Sequence, residues 1–82
     1  MYDEKLETLL TQLRGRDLSV KRKLRKLKRG STMYLVISSN EEYAGHIDAM
    51  SAVALCKQFY PRSMMTSGGF GRGFNITVVL KP

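Results

Sequence analysis

The sequence predicts an α+β fold, in which helices pack on a small mixed sheet that ends in a C-terminal hairpin. Near the N-terminus, leucines recur at the spacing i, i+3, i+4, i+7, which is typical of an amphipathic helix. Near the C-terminus, FNITVVLK (74–81) largely alternates apolar and polar residues, which is typical of a strand. With 82 residues, of which 43% are hydrophobic, the chain suits one small two-layer domain, residues 1–82.

Two helices are predicted before the first strand. Residues 1–14 form an acidic, leucine-bearing helix, whose acids lie in the first turns where the helix dipole favours anions. Residues 17–29 form a basic helix, because Val20, Leu24 and Leu27 continue the spacing i, i+4, i+7. The apolar stripe of the first helix consists of Leu6, Leu9, Leu10 and Leu13.

Residues 32–81 are predicted to form a β-α-β-β core, which gives the overall order α-α-β-α-β-β. The first strand of this core spans 32–38. Ser39 and Glu42 then match a capping box that begins a helix, and Pro61 closes it. A strand–helix–strand unit favours parallel neighbours, and the final hairpin adds an antiparallel strand. That hairpin is predicted as a strand at 62–67, a glycine-rich turn at 68–73 and a strand at 74–81.

The positive charge of the chain is concentrated in one short segment. The formal net charge is +7, from 14 Lys and Arg against 7 Asp and Glu. Residues 14–30 hold nine of the basic residues and a single acid, Asp17, whereas residues 1–13 are net negative. A field concentrated in this way favours an anionic partner, which could be nucleic acid, an anionic membrane or an acidic protein.

The basic run KRKLRKLKR (21–29) has no acid of its own, and none lies between Asp17 and Glu41. A solvated helix normally interleaves Glu with Lys, because like charges one turn apart repel each other. The pattern therefore favours a surface that binds a polyanion, while a solvated amphipathic helix remains the alternative. The predicted phosphate contacts are Lys21, Arg22, Lys23, Arg25, Lys26, Lys28 and Arg29.

The glycine-rich segment GGFGRG (68–73) is a second candidate contact. Phe70 offers a ring for base stacking, and Arg72 offers a guanidinium for a phosphate or a base edge. The alternative is a flexible hairpin tip whose phenylalanine folds back on the core. The segment is not a phosphate-binding loop of the Walker type, because no Lys-Ser or Lys-Thr follows it.

Catalytic and metal-binding patterns are weak. His46 is the single histidine and Cys56 the single cysteine. In one helix their ten-residue separation would place them nearly three turns apart, too far to form a catalytic pair. We therefore expect a protein that is not an enzyme and that needs no metal or cofactor.

The single cysteine also indicates a reducing compartment, because no intramolecular disulfide can form. The N-terminus, MYDEKLETLL, is acidic and lacks the pattern of a secretory signal. Uninterrupted apolar runs reach about five residues, far below the roughly 20 needed to span a bilayer. We expect a cytoplasmic protein with no membrane partner.

Three segments resemble the C-terminal domain of bacterial translation initiation factor three. They are KLRKLKRGSTMYLVI (23–37), YAGHIDAMSAVALCKQFYP (43–61) and GFGRGFNITVVLKP (69–82), and the resemblance covers about residues 21–82. It implies a ribosomal RNA-binding α+β domain. The basic positions that match are Lys26, Lys28, Arg72 and Lys81.

The sequence thus predicts a non-enzymatic nucleic-acid-binding protein, with RNA favoured over DNA because an exposed aromatic stacks on unpaired bases. The alternative is a small protein-binding regulator or inhibitor that docks on a host protein or nucleoprotein complex. Methionines, which make adaptable surfaces, and the small residues of the helix before Pro61 would form that interface. A homodimer is a further possibility, because the N-terminal leucine stripe must pack on something. The methionines concerned are Met33, Met50, Met64 and Met65.

Overall fold

The computed structural model describes residues 4–27, 30–39, 41 and 45–81, with the backbone alone for Leu27. Two helices pack on one face of a four-stranded sheet, so the predicted two-layer α+β class is confirmed. The observed order is α-β-β-α-β-β. The elements are α1 (Glu4–Arg14), β1 (Ser19–Leu27), β2 (Gly30–Ser39), α2 (His46–Phe59), β3 (Met64–Gly71) and β4 (Gly73–Leu80).

Helix α1 is the acidic, leucine-bearing helix that the sequence predicts. Its whole leucine stripe is buried in the core of this chain, against both the sheet and α2. Lys5 reaches across to the end of α2, where its Nζ lies 4.9 Å from the ring centre of Tyr60, the buried residue that follows the helix. The stripe therefore needs no second chain to cover it.

The sheet order is β1-β2-β4-β3, and every pair of hydrogen-bonded neighbours is antiparallel. The prediction of a mixed sheet is therefore wrong. Strands β2 and β3 do run parallel across the α2 crossover, but β4 lies between them and pairs with both. The C-terminal hairpin places β4 there, so no parallel pair forms.

The two faces of the sheet differ. On β2, Met33, Leu35 and Ile37 are buried and belong to the core that both helices cover. The alternate residues of β2 are only partly buried, because they point to the face that neither helix covers. We call this second surface the open face. Its β2 residues are Thr32, Tyr34, Val36 and Ser38.

The basic segment forms strand β1 as far as it is described, to Leu27, so the predicted basic helix 17–29 is wrong. Two residues four apart, such as Val20 and Leu24, share a face in a strand as well as in a helix, so their spacing fits both. Pairing with the apolar strand β2 favours the strand, which also divides the cations between two faces. Leu24, which the helical spacing assigns to an apolar stripe, is 50% exposed on this edge strand.

Helix α2 begins at His46, not directly after Ser39 as the predicted capping box requires. Ser39 is instead the last residue of β2, and its Oγ accepts a hydrogen bond from the Glu41 N–H at 3.3 Å. At the true start of α2, the Gly45 N–H donates to Asp48 Oδ2 at 3.0 Å. Glu42, the other half of the predicted box, lies outside the described residues.

The predicted turn at 68–73 is mostly strand. Strand β3 extends to Gly71 and β4 begins at Gly73, so only Arg72 lies between them. Gly73 has φ 84°, a backbone angle that suits glycine and that closes this tight connection. The strongly alternating β4 thus pairs with the glycines of β3, which local turn propensity alone does not reveal.

Candidate nucleic-acid interface

Strand β1 is an edge strand and carries the highest density of positive charge among the described residues. Its five basic side chains are all exposed. None of the four strands contains Asp or Glu, so the sheet supplies no acid that could neutralise them. Two residues of the predicted site, Lys28 and Arg29, lie outside the described residues. The five described cations are Lys21, Arg22, Lys23, Arg25 and Lys26.

Three of these cations belong to the open face. Lys21 pairs with Val36, Lys23 with Tyr34, and Arg25 with Thr32. Because directly paired residues of an antiparallel sheet point to the same side, these cations stand beside the half-buried open-face residues of β2. Along one face of a strand the spacing between successive cations is about 6.6 Å.

A groove of about 410 Å³ lies where these cations meet the centre of the sheet. One of its lining residues is Tyr34, whose neighbours on the open face are Lys23 on one side and Val79 on the other. Val79 is 4% exposed although no helix covers this face, so flanking side chains cover it. The groove is lined by Lys23, Leu24, Arg25, Tyr34, Val36 and Thr77.

The other two cations of β1 point toward the helix side of the sheet. Arg22 pairs with the buried Leu35, and Lys26 pairs with Ser31. Arg22 Nη1 lies 2.8 Å from Glu7 Oε1 of α1, forming an ion pair in which both side chains are about half exposed. The other β1 cations have no ion pair with any described residue.

The hairpin tip lies apart from the basic strand. Phe70 pairs with the buried Phe74, so its ring is on the helix side, where it lies 5.3 Å from the His46 ring. Phe70 is 46% exposed, between the two predicted alternatives of a free stacking ring and a core side chain. A hollow of about 370 Å³ lies here, and Arg72 is one of its lining residues.

The remaining predicted contact, Lys81, lies at the opposite end of the sheet from Arg72. It follows Leu80, the partner of Met33 near the start of β2. Its N–H donates to Ser63 Oγ at 3.1 Å, which fixes the chain at this end. The predicted site residues therefore form no single cluster: β1 unites five of them, while Phe70, Arg72 and Lys81 lie elsewhere.

The structure gives His46 and Cys56 no shared site. Cys56 is fully buried, and burial raises the pKa of its thiol to about 12. His46 is exposed and contacts the Phe70 ring. In the part of the chain that the structure describes, no three His, Cys, Asp or Glu residues lie together in a way that could hold a metal ion.

Part of the surface predicted for a protein partner belongs to the core, although Ser51 and Ala54 of α2 are exposed. Met33 is buried, and Met50 and Met65 are partly buried against the core. The small residues Ala49 and Ala52 of α2 are also fully buried. Of the four methionines named above, Met64 alone has an exposed side chain.

Sequence reasoning missed Tyr34, which is the one aromatic side chain on the open face among the described residues. The sequence pattern does indicate its position: Tyr34 lies between Met33 and Leu35, and the alternation of a strand places it on the face opposite to theirs.

Neither described helix is long and apolar enough to cross a membrane. Comparison with known protein families, curated proteins and solved structures finds no match, so the resemblance to the initiation-factor domain stays a prediction.

Proposed function

We propose that this chain is a non-enzymatic nucleic-acid-binding protein that contacts phosphates through strand β1. The observation that supports it best is the row of five exposed cations on an edge strand, in a sheet without acids. A positive surface of this kind attracts a polyanion and releases its counterions. A cytoplasmic location accords with the single cysteine, which is buried and has no disulfide partner.

RNA is the proposed ligand in preference to DNA. One observation supports this choice, the presence of an aromatic side chain beside the cations on the open face, and the predicted resemblance to a ribosomal RNA-binding domain agrees with it. Specific recognition of RNA commonly uses unpaired bases that stack on aromatic side chains. Of the basic positions that match the resemblance, Lys26 belongs to the basic strand.

The test replaces cations and measures the salt dependence of binding to a single-stranded RNA. A variant with Lys21→Gln, Lys23→Gln and Arg25→Gln should bind more weakly, and the slope of log affinity against log salt should fall by about 2. The control removes the same charge from exposed positions away from the sheet. It consists of Arg14→Gln, Lys57→Gln and Arg62→Gln.

Both variants should unfold at nearly the wild-type temperature, because exposed substitutions cost little stability. Equal losses of affinity in the two variants would show that only net charge matters and would contradict a site on β1. If the β1 variant bound RNA as tightly as the wild type, the cations of β1 would not be phosphate contacts. They would then have a different role, since charged edge strands resist pairing with other sheets.

A second candidate function, a protein-binding regulator, has its own supporting observation. Ile47 is 82% exposed at the start of α2, and Phe70 lies beside its neighbour His46. Affinity capture from an extract, with and without nuclease, separates the two functions. A partner that survives nuclease and is lost in an Ile47→Ser variant favours the regulator, whereas loss of every partner after nuclease favours nucleic-acid binding.

A further inference from the structure

We infer that the open face binds a single-stranded nucleic acid, with one base stacked on Tyr34 and the adjacent phosphates on Lys21, Lys23 and Arg25. This inference rests on the proposed function, and it adds the place, the strandedness and the stacking residue. The cations of β1 alone would serve any polyanion. The groove beside them is what a nucleobase in particular would use.

The position of Tyr34 suits a stacking platform. It lies in the row Lys23–Tyr34–Val79–Met64, which crosses the whole sheet from one edge to the other. Val79 is almost fully buried within this row, and its two neighbours, Tyr34 and Met64, are the side chains placed to cover it. Tyr34 is itself partly buried between these neighbours, so less side-chain entropy is left to lose on binding than for a fully exposed ring.

The surroundings of Tyr34 match a base rather than a second charged group. Val36, the next open-face residue of β2, and its β4 partner Thr77 also line the groove, giving an apolar contact and a hydroxyl. The cations Lys23 and Arg25 line it from β1. The volume of about 410 Å³ falls in the lower part of the range for small-ligand sites, roughly 300–1,000 Å³.

The same geometry indicates that the bound nucleic acid is single-stranded. A base can lie on the Tyr34 ring only if its face is free, which excludes a base inside a duplex. The cations of the open face run along β1, so a nucleic-acid strand that follows them passes Tyr34 at the level of Lys23. A duplex would still reach the edge cations, but it would gain nothing from the tyrosine.

The first experiment compares the two sides of one strand. The open-face pair, Lys21→Gln with Lys23→Gln, and the helix-side pair, Arg22→Gln with Lys26→Gln, remove equal charge from the same six-residue stretch. The probes are a 12-nucleotide oligouridine and an RNA duplex of the same length. The open-face pair should lose at least several-fold more affinity for oligouridine than the helix-side pair.

The second experiment tests the ring. Tyr34→Phe should bind oligouridine as the wild type does, whereas Tyr34→Leu should bind roughly 5- to 100-fold more weakly with an unchanged salt slope. Both replacements keep an apolar side chain over Val79, and a melting curve checks that each folds. Since the chain contains no tryptophan, Tyr34→Trp gives a single indole whose fluorescence should be quenched by oligouridine and not by the duplex.

The outcomes separate this inference from the proposed function. Two results would overturn the inference while the proposed function stands. One is an affinity for oligouridine that Tyr34→Leu leaves unchanged. The other is an equal loss of affinity in the open-face pair and the helix-side pair of variants. Competition by polyglutamate as effective as that by oligouridine would also overturn it, because that polyanion has no bases. Failure of the wild type to bind either RNA would overturn both.

Discussion

Arg22 of the basic strand and Glu7 of the acidic helix form an ion pair, with Arg22 Nη1 2.8 Å from Glu7 Oε1. The contact joins two segments whose opposite charges are evident in the sequence, where residues 1–13 are net negative and residues 14–30 strongly positive. It also neutralises one of the five described cations of β1. Glu7 therefore competes with any anionic ligand for Arg22.

Replacing this acid should strengthen polyanion binding. In a Glu7→Gln variant, Arg22 keeps its place on the helix side of β1 but loses its anionic partner, so it is free for a phosphate that reaches this side of the edge strand. We expect higher affinity for RNA at low salt and a salt slope steeper by up to about 0.9. Because both side chains are about half exposed, the free energy of unfolding should change by less than about 1 kcal/mol.

The matched control for that variant is Glu4→Gln. Glu4 is another exposed acid in the first turn of α1, and it has no ion pair with a described residue. Its replacement changes the net charge equally, and salt titration of both variants isolates the effect of freeing Arg22. An equal gain in affinity from both variants would show that Glu7 acts only through the total charge.

Leucines on the helix side of the sheet should differ widely in their contribution to stability. Leu24→Ala should lower the free energy of unfolding by less than about 1 kcal/mol, because the side chain is half exposed at the edge. Leu35→Ala should cost roughly 2–5 kcal/mol, because Leu35 is fully buried in the core. Denaturant unfolding measures both, and a loss above 2 kcal/mol for Leu24→Ala would show that the basic strand packs on a further surface.

The behaviour of Leu24 shows where sequence reasoning reaches its limit. For α1, four leucines at helical spacing leave one interpretation, and the helix forms as predicted. For the basic segment, Val20 and Leu24 fit both periods, and the deciding factor is the pairing of β1 with β2. That pairing is a tertiary interaction, which a local pattern of apolar residues does not contain.

The candidate site was predicted only in part for a similar reason. Charge is a property of composition, so the cations of β1 could be identified without a structure. The side to which each residue points depends on the secondary structure, and the helix assignment hid the division between Lys23 and Arg22. The sequence alone assigns base stacking to Phe70 in the glycine-rich segment. Pairing with Phe74 instead places that ring on the helix side, away from the open-face cations.

The thiol of Cys56 should be inert in the folded protein. Burial raises its pKa from 9.0 to about 12, so the reactive thiolate is scarce at pH 8. We expect slow labelling by a thiol reagent in native buffer and fast labelling in denaturant. Fast native labelling would show that α2 opens readily and that the core around Cys56 is not tightly closed.

The same shift in pKa predicts alkaline sensitivity. The folded state keeps the neutral thiol up to about pH 12, whereas the unfolded chain loses this proton near pH 9. Stability from this group is therefore complete below about pH 9 and is lost as the pH rises toward 12, at a slope approaching 1.4 kcal/mol per pH unit. Unfolding of Cys56→Ala should show a flatter alkaline decline, and parallel profiles for the two proteins would contradict a buried thiol.

Two glycines, Gly30 and Gly71, allow a test of backbone conformation in which side-chain packing does not change. A Cβ added at Gly30 or at Gly71 would meet no atom within 4 Å, but Gly30 has φ 125° and Gly71 has an ordinary backbone. Gly30→Ala should therefore destabilise the fold by about 1–3 kcal/mol through strain alone. Gly71→Ala should be neutral or stabilise it by up to about 1 kcal/mol, because alanine lowers the entropy of the unfolded chain. Thermal unfolding of both variants decides, and an equal effect would mean that the backbone at Gly30 relaxes without strain.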